Sequence, residues 1–471
     1  MLQGTHTRKA HLMKHRRSAV RCKTHGLPEL AFECQALTSF SGLVVFQQLF
    51  AALALSRRTA ACLRHQASGK IFCRAKVFLQ LIIHVLLGYR ELRDCRYYRD
   101  DPLVKRVLGL KRLPDVATLS RMLKEADFQS VEKLRRLLRE MTLARLKSMK
   151  LARITLDFDG SVLSTTRRAE GTAVGFNKKK KGARSYYPLF CTVAQTGQVL
   201  DLLHRSGNVH DSNGAGPFIL DCLEAVCFAL GPVHIEIRMD SAFFSDEIIS
   251  LLEGSGVEYS VTVPFERFVE LKHTIEQRQR WQRVDGESDS FERAWKPKSW
   301  QHPRRFLFIR TLTRKQHKGP VQLDLFIPHE EGYEFKVIIT NKTVSAKMVV
   351  AFHDGRGSQE GIFGELKTNC QMGHVPVRRC CGNQLYLLAG LFAHNLTREL
   401  QMILTPPQRH LTANRAALWV FEKLDTLRAT LLHRAGRITH PHGKLTLTVS
   451  ANQSIKERFL NAMAALRSHA A

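Results

Sequence analysis

Apolar spacing along the chain divides it into stretches of different period. Leu43, Val44, Phe46, Leu49 and Phe50 recur as one face of a helix, and Val77 to Leu87 predicts a second buried helix. Tyr89 to Leu123 predicts helix, turn, helix. Leu108-Gly109-Leu110-Lys111-Arg112-Leu113-Pro114 is the break, Asp115 is placed to cap the next helix, and Ala117 to Arg121 continues it. From about residue 151 the period falls to two. Ile154, Leu156 and Phe158 alternate with Thr155, Asp157 and Asp159, a strand with two faces. Tyr187 to Ala194 and Val199 to His204 come next as strands joined by a Gln195-Thr196-Gly197 turn. His210 to Leu230 predicts a helix opening near Asp211-Ser212. His234 to Met239 predicts a strand ending at Asp240, Phe244 to Leu252 a helix, and Glu258 to Val263 a strand. Three strands in a meander, then helix, strand, helix, strand, describe an α/β mixed sheet with flanking helices.

From about 264 to 345 the sequence turns β-rich and basic. Phe306 to Arg310, Val321 to Phe326 and Phe335 to Thr340 are strand candidates, with Trp281, Trp295 and Trp300 among or before them. Helices return at His353 to Asn369 and Asn383 to Met402, and the tail is mixed and basic. The expected organisation has five parts: a basic arm over 1–30, a helical DNA-binding domain over 31–150, an α/β core over 151–263 and 346–402, a β-rich insertion over 264–345, and a basic helical tail over 403–471.

Composition narrows the function. Hydrophobic content of 44% with 24% charged residues is globular rather than disordered. Lys plus Arg is 72 against 42 acids, a net charge of +30. Such an excess repels itself unless a polyanion neutralises it, and nucleic acid is the first candidate, ahead of a ribosomal or membrane-surface role. The longest apolar run, Val77 to Tyr89, is broken by Gln80 and His84 and is short of the ~20 residues a spanning helix needs. No membrane partner is expected. The eleven cysteines include no CxxC pair and predict reduced thiols in a cytoplasmic protein. Cys370, His374, Cys380 and Cys381 are irregularly spaced, and ordinary thiols are the better reading than zinc.

In so basic a chain the informative residues are acids at strand ends. Asp159 precedes Gly160-Ser161 and Asp240 precedes Ser241-Ala242-Phe243. Strand C-termini opening on one crevice are where α/β sheets place ligands. Two carboxylates there repel each other unless a cation lies between them, and hard oxygen ligands suit Mg2+ or Mn2+. The competing reading is that each aspartate caps the adjoining turn. His353, Arg356, Glu360 and Lys367 lie near one line of a helix, whereas Glu365 is rotated by about 140°. The competing reading is a solvated face with Arg356–Glu360 pairing. Gly355, Gly357, Gly361 and Gly364 cost up to ~1 kcal/mol each inside a helix, which implies that a backbone or DNA comes close. Lys178, Lys179, Lys180 and Lys181 form a loop that meets DNA or is plain surface charge.

The spacing His353-x2-Arg356-x3-Glu360-x6-Lys367 resembles the Tyr-Arg-Glu-Lys signature of DDE-type transposases of bacterial insertion sequences, with His353 in place of Tyr. Leu156 to Ser161 and Arg238 to Phe243 are similar to that family's two aspartate blocks. Tyr187-Pro188-Leu189 and Arg205 to His210 are similar to further blocks, and Leu110 to Arg121 resembles its N-terminal region. The resemblance runs from about Ile154 to Leu400. It implies a ribonuclease-H-like core and cut-and-paste transposition in the bacterial cytoplasm, at the nucleoid. Asp159, Asp240 and Glu360 would hold two Mg2+ or Mn2+ ions, with Asp157 on the same strand face as a further candidate ligand. Arg356 and Lys367, with His353, would contact DNA phosphates, and Arg121 would lie in the DNA-binding region. Trp295 is the candidate among the three tryptophans for stacking on a flipped base, against a packed-core role. Partners implied are the terminal inverted repeats, target DNA and a second copy in the synaptic complex. A nuclease that cuts without joining, and a decayed transposase that only binds DNA, are the alternatives.

The charge makes a prediction that does not depend on the resemblance. Affinity for duplex DNA, followed by gel shift, should fall on the order of a thousandfold between about 50 and 200 mM salt. A flat response would remove nucleic acid as the partner.

Overall fold

The structure, a computed structural model, describes residues 27, 29–33, 35–66, 69, 71–175, 177, 180–210, 212–312 and 332–470. Residues 36–471 form one compact unit. Residues 1–35 form the other, and its described residues from Leu27 to Glu33 are exposed.

A short strand, β1 (Leu37–Thr38), precedes six helices: α1 (Leu43–Ala52), α2 (Leu55–Leu63), α3 (Arg74–Leu86), α4 (Pro102–Leu108), α5 (Val116–Lys124) and α6 (Phe128–Met149). Aspartates start the last three. Asp101 accepts from Leu103 N and Val104 N, Asp115 from Thr118 N, and Asp127 from Ser130 N, satisfying amides that the first turn leaves unpaired. Nearly all of α3 is buried, Gln80 and His84 included, as befits a helix in the middle of a core. Gln80 donates to Pro114 O at 3.1 Å, and His84 Nδ1 pairs with Tyr98 Oη at 3.0 Å.

The sheet begins with β2 (Arg153–Gly160). A small excursion of β3 (Leu163–Thr165), β4 (Ala173–Val174) and β5 (Arg184–Tyr186) comes after it. Then come the hairpin β6 (Leu189–Val193) and β7 (Gln198–Leu203), α7 (Ala215–Leu230), β8 (His234–Met239), α8 (Asp246–Gly254) and β9 (Glu258–Val263). Helix α7 starts at Ala215, later than His210, because Gly214 adopts a left-handed φ of 71° just before it. Asp211 lies outside the described residues.

The β-rich stretch supplies α9 (Val269–Glu276) and strands β10 (Gln282–Arg283), β11 (Ser288–Trp295), β12 (Arg304–Leu312) and β13 (Tyr333–Thr340). The candidate strand Val321 to Phe326 lies outside the described residues. These strands extend the central sheet, since β13 pairs antiparallel with β9. The nine-stranded order is β10-β11-β12-β13-β9-β8-β2-β6-β7, with β2, β8 and β9 parallel.

The remainder is α10 (Ala346–Asp354), α11 (Ser358–Asn369), α12 (Cys380–Leu404), α13 (Leu424–Leu427), β14 (Gly436–Thr439), β15 (Thr446–Val449) and α14 (Gln453–Ala470). Helix α12 returns to the N-terminal helices. Phe392 meets Phe78 of α3 edge-on at 5.6 Å, and a Cβ on Gly382 would lie 2.1 Å from Leu123 O of α5. One hydrophobic core therefore joins α1–α6 to α12.

The two faces of the sheet centre differ in kind. Ile154, Leu156, Phe158, Ile235, Ile237, Met239, Tyr259 and Val261 pack with α7 and α8 in an apolar core. The alternate positions Thr155, Asp157, Glu236, Arg238 and Ser260 are equally buried and polar. Burying such groups is tolerable only when each is hydrogen-bonded or paired. Thr155 donates to Glu236, Arg238 pairs with Asp157, and Ser260 meets His353.

Burial also holds several histidines neutral. His84 and His394 are fully enclosed, and desolvation lowers each from the ordinary 6.5 to about 4. The folded value lies below the unfolded one, so the stability they contribute is whole above pH 6.5 and is lost as pH falls from there towards 4. We expect roughly 1 kcal/mol per histidine to be gone by pH ~5.5. Thermal unfolding followed between pH ~7.5 and ~5.5 should show a falling midpoint, and His394→Gln should lose part of that slope. An unchanged slope in the variant would contradict the buried neutral state.

Candidate active site

Strands β2 and β8 run side by side and parallel, with Asp157 opposite Arg238 and Phe158 opposite Met239. The next residues are Asp159 and Asp240, so two aspartates end neighbouring strands, about 5 Å apart along the ladder direction. Both are half-buried. Each also serves its local turn. Asp159 accepts from Gly160 N at 2.7 Å, and Asp240 accepts from Ala242 N at 3.0 Å, capping a 3-10 turn over Ser241–Phe243.

Glu360 arrives on a different element. Helix α10 ends at Asp354, Gly355–Gly357 tighten into a 3-10 turn, and α11 starts at Ser358. Arg356 in that turn links the acids: Nη1 lies 3.5 Å from Asp159 Oδ2, and Nη2 lies 4.0 Å from Glu360 Oε1. Glu360 is solvated, its side chain 73% exposed. The three acids do not converge on one point. Among the described residues, only His234, Glu236 and Glu258 bring three ligand atoms within 4.8 Å of one another.

That second group is at the opposite ends of the strands and is already neutralised. Glu236 is fully buried and takes Lys342 Nζ at 2.6 Å, Arg153 Nη1 at 2.8 Å and Arg415 Nε at 3.0 Å. Burial raises the Glu236 carboxyl, but Arg415 and Lys342 outweigh it and leave it below its ordinary value. Lys342 and Arg153 also hold Glu258, which is lowered to about 2 despite the upward pull of burial. A metal ion there would have to displace these cations, so the group is an ion-paired clamp of Lys342 and the 412–415 loop onto the sheet.

Between the two ends, Asp157 is engaged by Arg238. Arg238 Nε and Nη2 donate to its two oxygens at 2.5 and 2.7 Å, with neither side chain exposed by more than 1%. Burial pushes the Asp157 carboxyl up, and the Arg238 guanidinium is the counterion that opposes this. The aspartate block in the sequence contains Arg238 but assigns it no role.

Several expected DNA contacts are placed elsewhere. His353 is buried, with Nδ1 2.9 Å from Ser260 Oγ and Nε2 2.8 Å from Thr262 Oγ1. Desolvation, with Lys336, Arg356 and Arg238 nearby, lowers it well below its ordinary value. Its ring fastens α10 to β9 and offers nothing to a phosphate. Trp295 is also buried, donating to Glu270 at 3.0 Å and packed edge-on against Phe268 and Phe306, so it has no face for a base. Trp300 stacks on Phe244 within the same core, and Trp281 is covered by the Arg310 guanidinium at 4.7 Å. Lys367, Lys180, Lys181 and Arg121 are exposed; Lys178 and Lys179 lie outside the described residues.

Glu365 faces away from Glu360, as the helical angle requires. It is buried, paired with Arg398 of α12, and accepts from Leu424 N at 3.0 Å. The helix glycines divide into two kinds. A Cβ on Gly355 would come 1.9 Å from Asn414 O and 2.2 Å from Arg238 Nη1, so the chain crosses another backbone there. Around Gly357, Gly361 and Gly364 nothing lies within 4 Å of a built Cβ.

No curated protein matches the chain. Solved structures that match do so loosely. A piggyBac transposase synaptic complex with hairpin DNA is 11% identical, covering 83% of this chain and 80% of that one, with a TM-score of 0.38. The Mos1 mariner paired-end complex with Mn is 12% identical over 41% of this chain and 60% of that one, at 0.17. A Mos1 complex with the left transposon end is 13% identical with the same coverage, at 0.16. The family match is of another order: the model described as transposase DDE domain, group 1, matches residues 27–471. It runs through the N-terminal helices, both aspartate-bearing strands, the β-rich stretch and the helices that close the fold, and the chain belongs to that family of DNA transposases.

Proposed function

We propose that the protein cuts DNA at the ends of a mobile element and joins the freed 3′ ends to target DNA, with Asp159, Asp240 and Glu360 as the catalytic acids. The observation that carries the reading is the adjacency of Asp159 and Asp240 at the ends of two hydrogen-bonded parallel strands, with Arg356 joining Asp159 to Glu360. The order β7-β6-β2-β8-β9, an antiparallel meander continued by two parallel strands, supports a ribonuclease-H-like core.

The half-buried aspartates and the solvated glutamate form an all-oxygen donor set, which fits Mg2+ or Mn2+. Asp157 does not belong to that set in our reading, because both of its oxygens are committed to Arg238. Two bound divalent ions would supply activation of the attacking oxygen and stabilisation of the leaving one. The chain's own residues do the rest. Arg356 presents a planar fork that can grip a phosphate in two places once it leaves Asp159, and exposed Lys367 on the adjoining helix adds a point charge. Water and a 3′-hydroxyl can attack in turn through the same site, so cutting and joining are one reaction type. Two DNA ends must be held together, so we propose a dimer in the working complex. The resemblance to insertion-sequence enzymes favours a bacterial element acting at the nucleoid.

The test uses a duplex carrying the inverted repeats sought in the DNA flanking the coding region. With Mg2+ or Mn2+, the wild type should give both cut and joined products. Glu360→Gln and Asp159→Asn should each abolish cutting while leaving the gel shift intact. Cleavage that survives in either variant contradicts the assignment of the acids. Cut products without joining would reduce the protein to a nuclease, and a shift alone to a DNA-binding protein.

A further inference from the structure

Each acid-bearing strand carries a second charged residue two positions before its acid, and hence on the same face. On β2 it is Asp157 before Asp159, and on β8 it is Arg238 before Asp240. The ladder sets these two directly opposite each other. The row behind the aspartate pair is therefore a buried, bidentate ion pair of opposite signs.

Arg238 uses the rest of its fork on other segments. Nη1 donates to Phe352 O, in α10, at 3.0 Å and to Asn414 O, in the loop after α12, at 2.7 Å. Its guanidinium lies 5.4 Å from the centre of the Phe352 ring. Gly355 has room for no Cβ because Asn414 O and Arg238 Nη1 press against it. One residue later Arg356 reaches Asp159, and Gln359, beside Glu360, donates to the backbone carbonyl of Asp157 at 3.0 Å. The turn that delivers Arg356 and Glu360 is thus seated on the Asp157–Arg238 pair.

Stability alone is a weak reason for such a pair. A buried ion pair pays for desolvating both charges, and an apolar pair of similar volume often folds as well or better. What an apolar pair cannot do is send four directed N–H bonds to a carboxylate and two carbonyls at once. We infer that Arg238 is a positioning residue: it fixes the α10–α11 turn, and with it Arg356 and Glu360, over the Asp159–Asp240 pair. The inference rests on the proposed roles of those acids. It goes beyond them by assigning a residue that touches neither substrate nor metal.

Two variants test it. Arg238→Lys keeps a charge beside Asp157 but has one point of donation in place of a fork. Asp157→Leu with Arg238→Met leaves no buried charge and should melt close to the wild type. Three readouts apply to the full chain: hydrogen exchange of α11 amides against those of α3, Mn2+ binding by electron paramagnetic resonance, and Mn2+-dependent cutting of the repeat duplex. In both variants α11 should lose protection while α3 keeps it. Mn2+ affinity and the cutting rate should each fall about tenfold or more, with DNA affinity unchanged. If the paired variant recovers α11 protection and Mn2+ affinity along with its melting temperature, the positioning role is wrong. If neither variant folds, Arg238 is a folding residue and the role is equally overturned. Should the wild type itself neither bind Mn2+ nor cut DNA, the reading of the acids fails, while α11 exchange still decides the role of Arg238.

Discussion

A buried polar face on a parallel sheet is the constraint around which this molecule is arranged. Strand alternation sends Ile154, Leu156, Phe158, Ile235, Ile237 and Met239 into an ordinary apolar core. It sends Thr155, Asp157, Glu236, Arg238 and Ser260 to the other side, equally far from water. Such a face is stable only if everything laid over it brings partners. Lys342, Arg415, His353, Gln359 and the Phe352 and Asn414 carbonyls are those partners, drawn from four different segments. The covering layer is held by directed bonds, and it is the layer that carries Arg356 and Glu360.

The face is also graded. At the strand starts, two glutamates are outnumbered by lysine and arginines; in the middle one acid meets one arginine; at the strand ends Arg356 stands 3.5 Å from Asp159. Tight pairing gives way to a longer contact towards the end that opens to solvent. The divalent cations of the proposed function would enter at that longer contact, since the clamp at the strand starts already pairs its carboxylates with Lys342, Arg153 and Arg415. The metal-like cluster of His234, Glu236 and Glu258 belongs to the neutralised end, and its carboxylates are kept ionised by neighbouring side chains.

Much of this was legible in the residues. Strands β8 and β9 begin and end where alternation and punctuation put them, the Gln195-Thr196-Gly197 turn joins its hairpin, and Asp115 caps its helix. Strand β11 was not legible, because Ser288-Asp289-Ser290 and Glu292-Arg293 look like loop. What makes them a strand is across the ladder: Asp289 meets Arg310 at 3.0 Å and Glu292 meets Arg305 at 2.5 Å. Helical arithmetic put His353 in line with Arg356 and Glu360, and the family resemblance then implied a phosphate contact for it. The 3-10 turn at Gly355–Gly357 interrupts that helix, and His353 faces the hydroxyls of β9. The partnership of Asp157 and Arg238 had its own signal in the sequence: opposite charges in phase, two places before an acid, on two strands whose intervening positions are apolar.

Helix α12 has a bearing on modularity. It lies downstream of all three proposed catalytic acids, yet it is sunk among the N-terminal helices, with Gly382 and Gly390 allowing Leu123 O and Cys370 O to touch its backbone. At its far end Arg398 grips Glu365 of the helix that bears Glu360. The helical half and the half with the acids therefore share a spine. Neither can be exchanged for a relative's version as a self-contained cassette, and a graft that respects the fold has to carry α12 along with α1–α6.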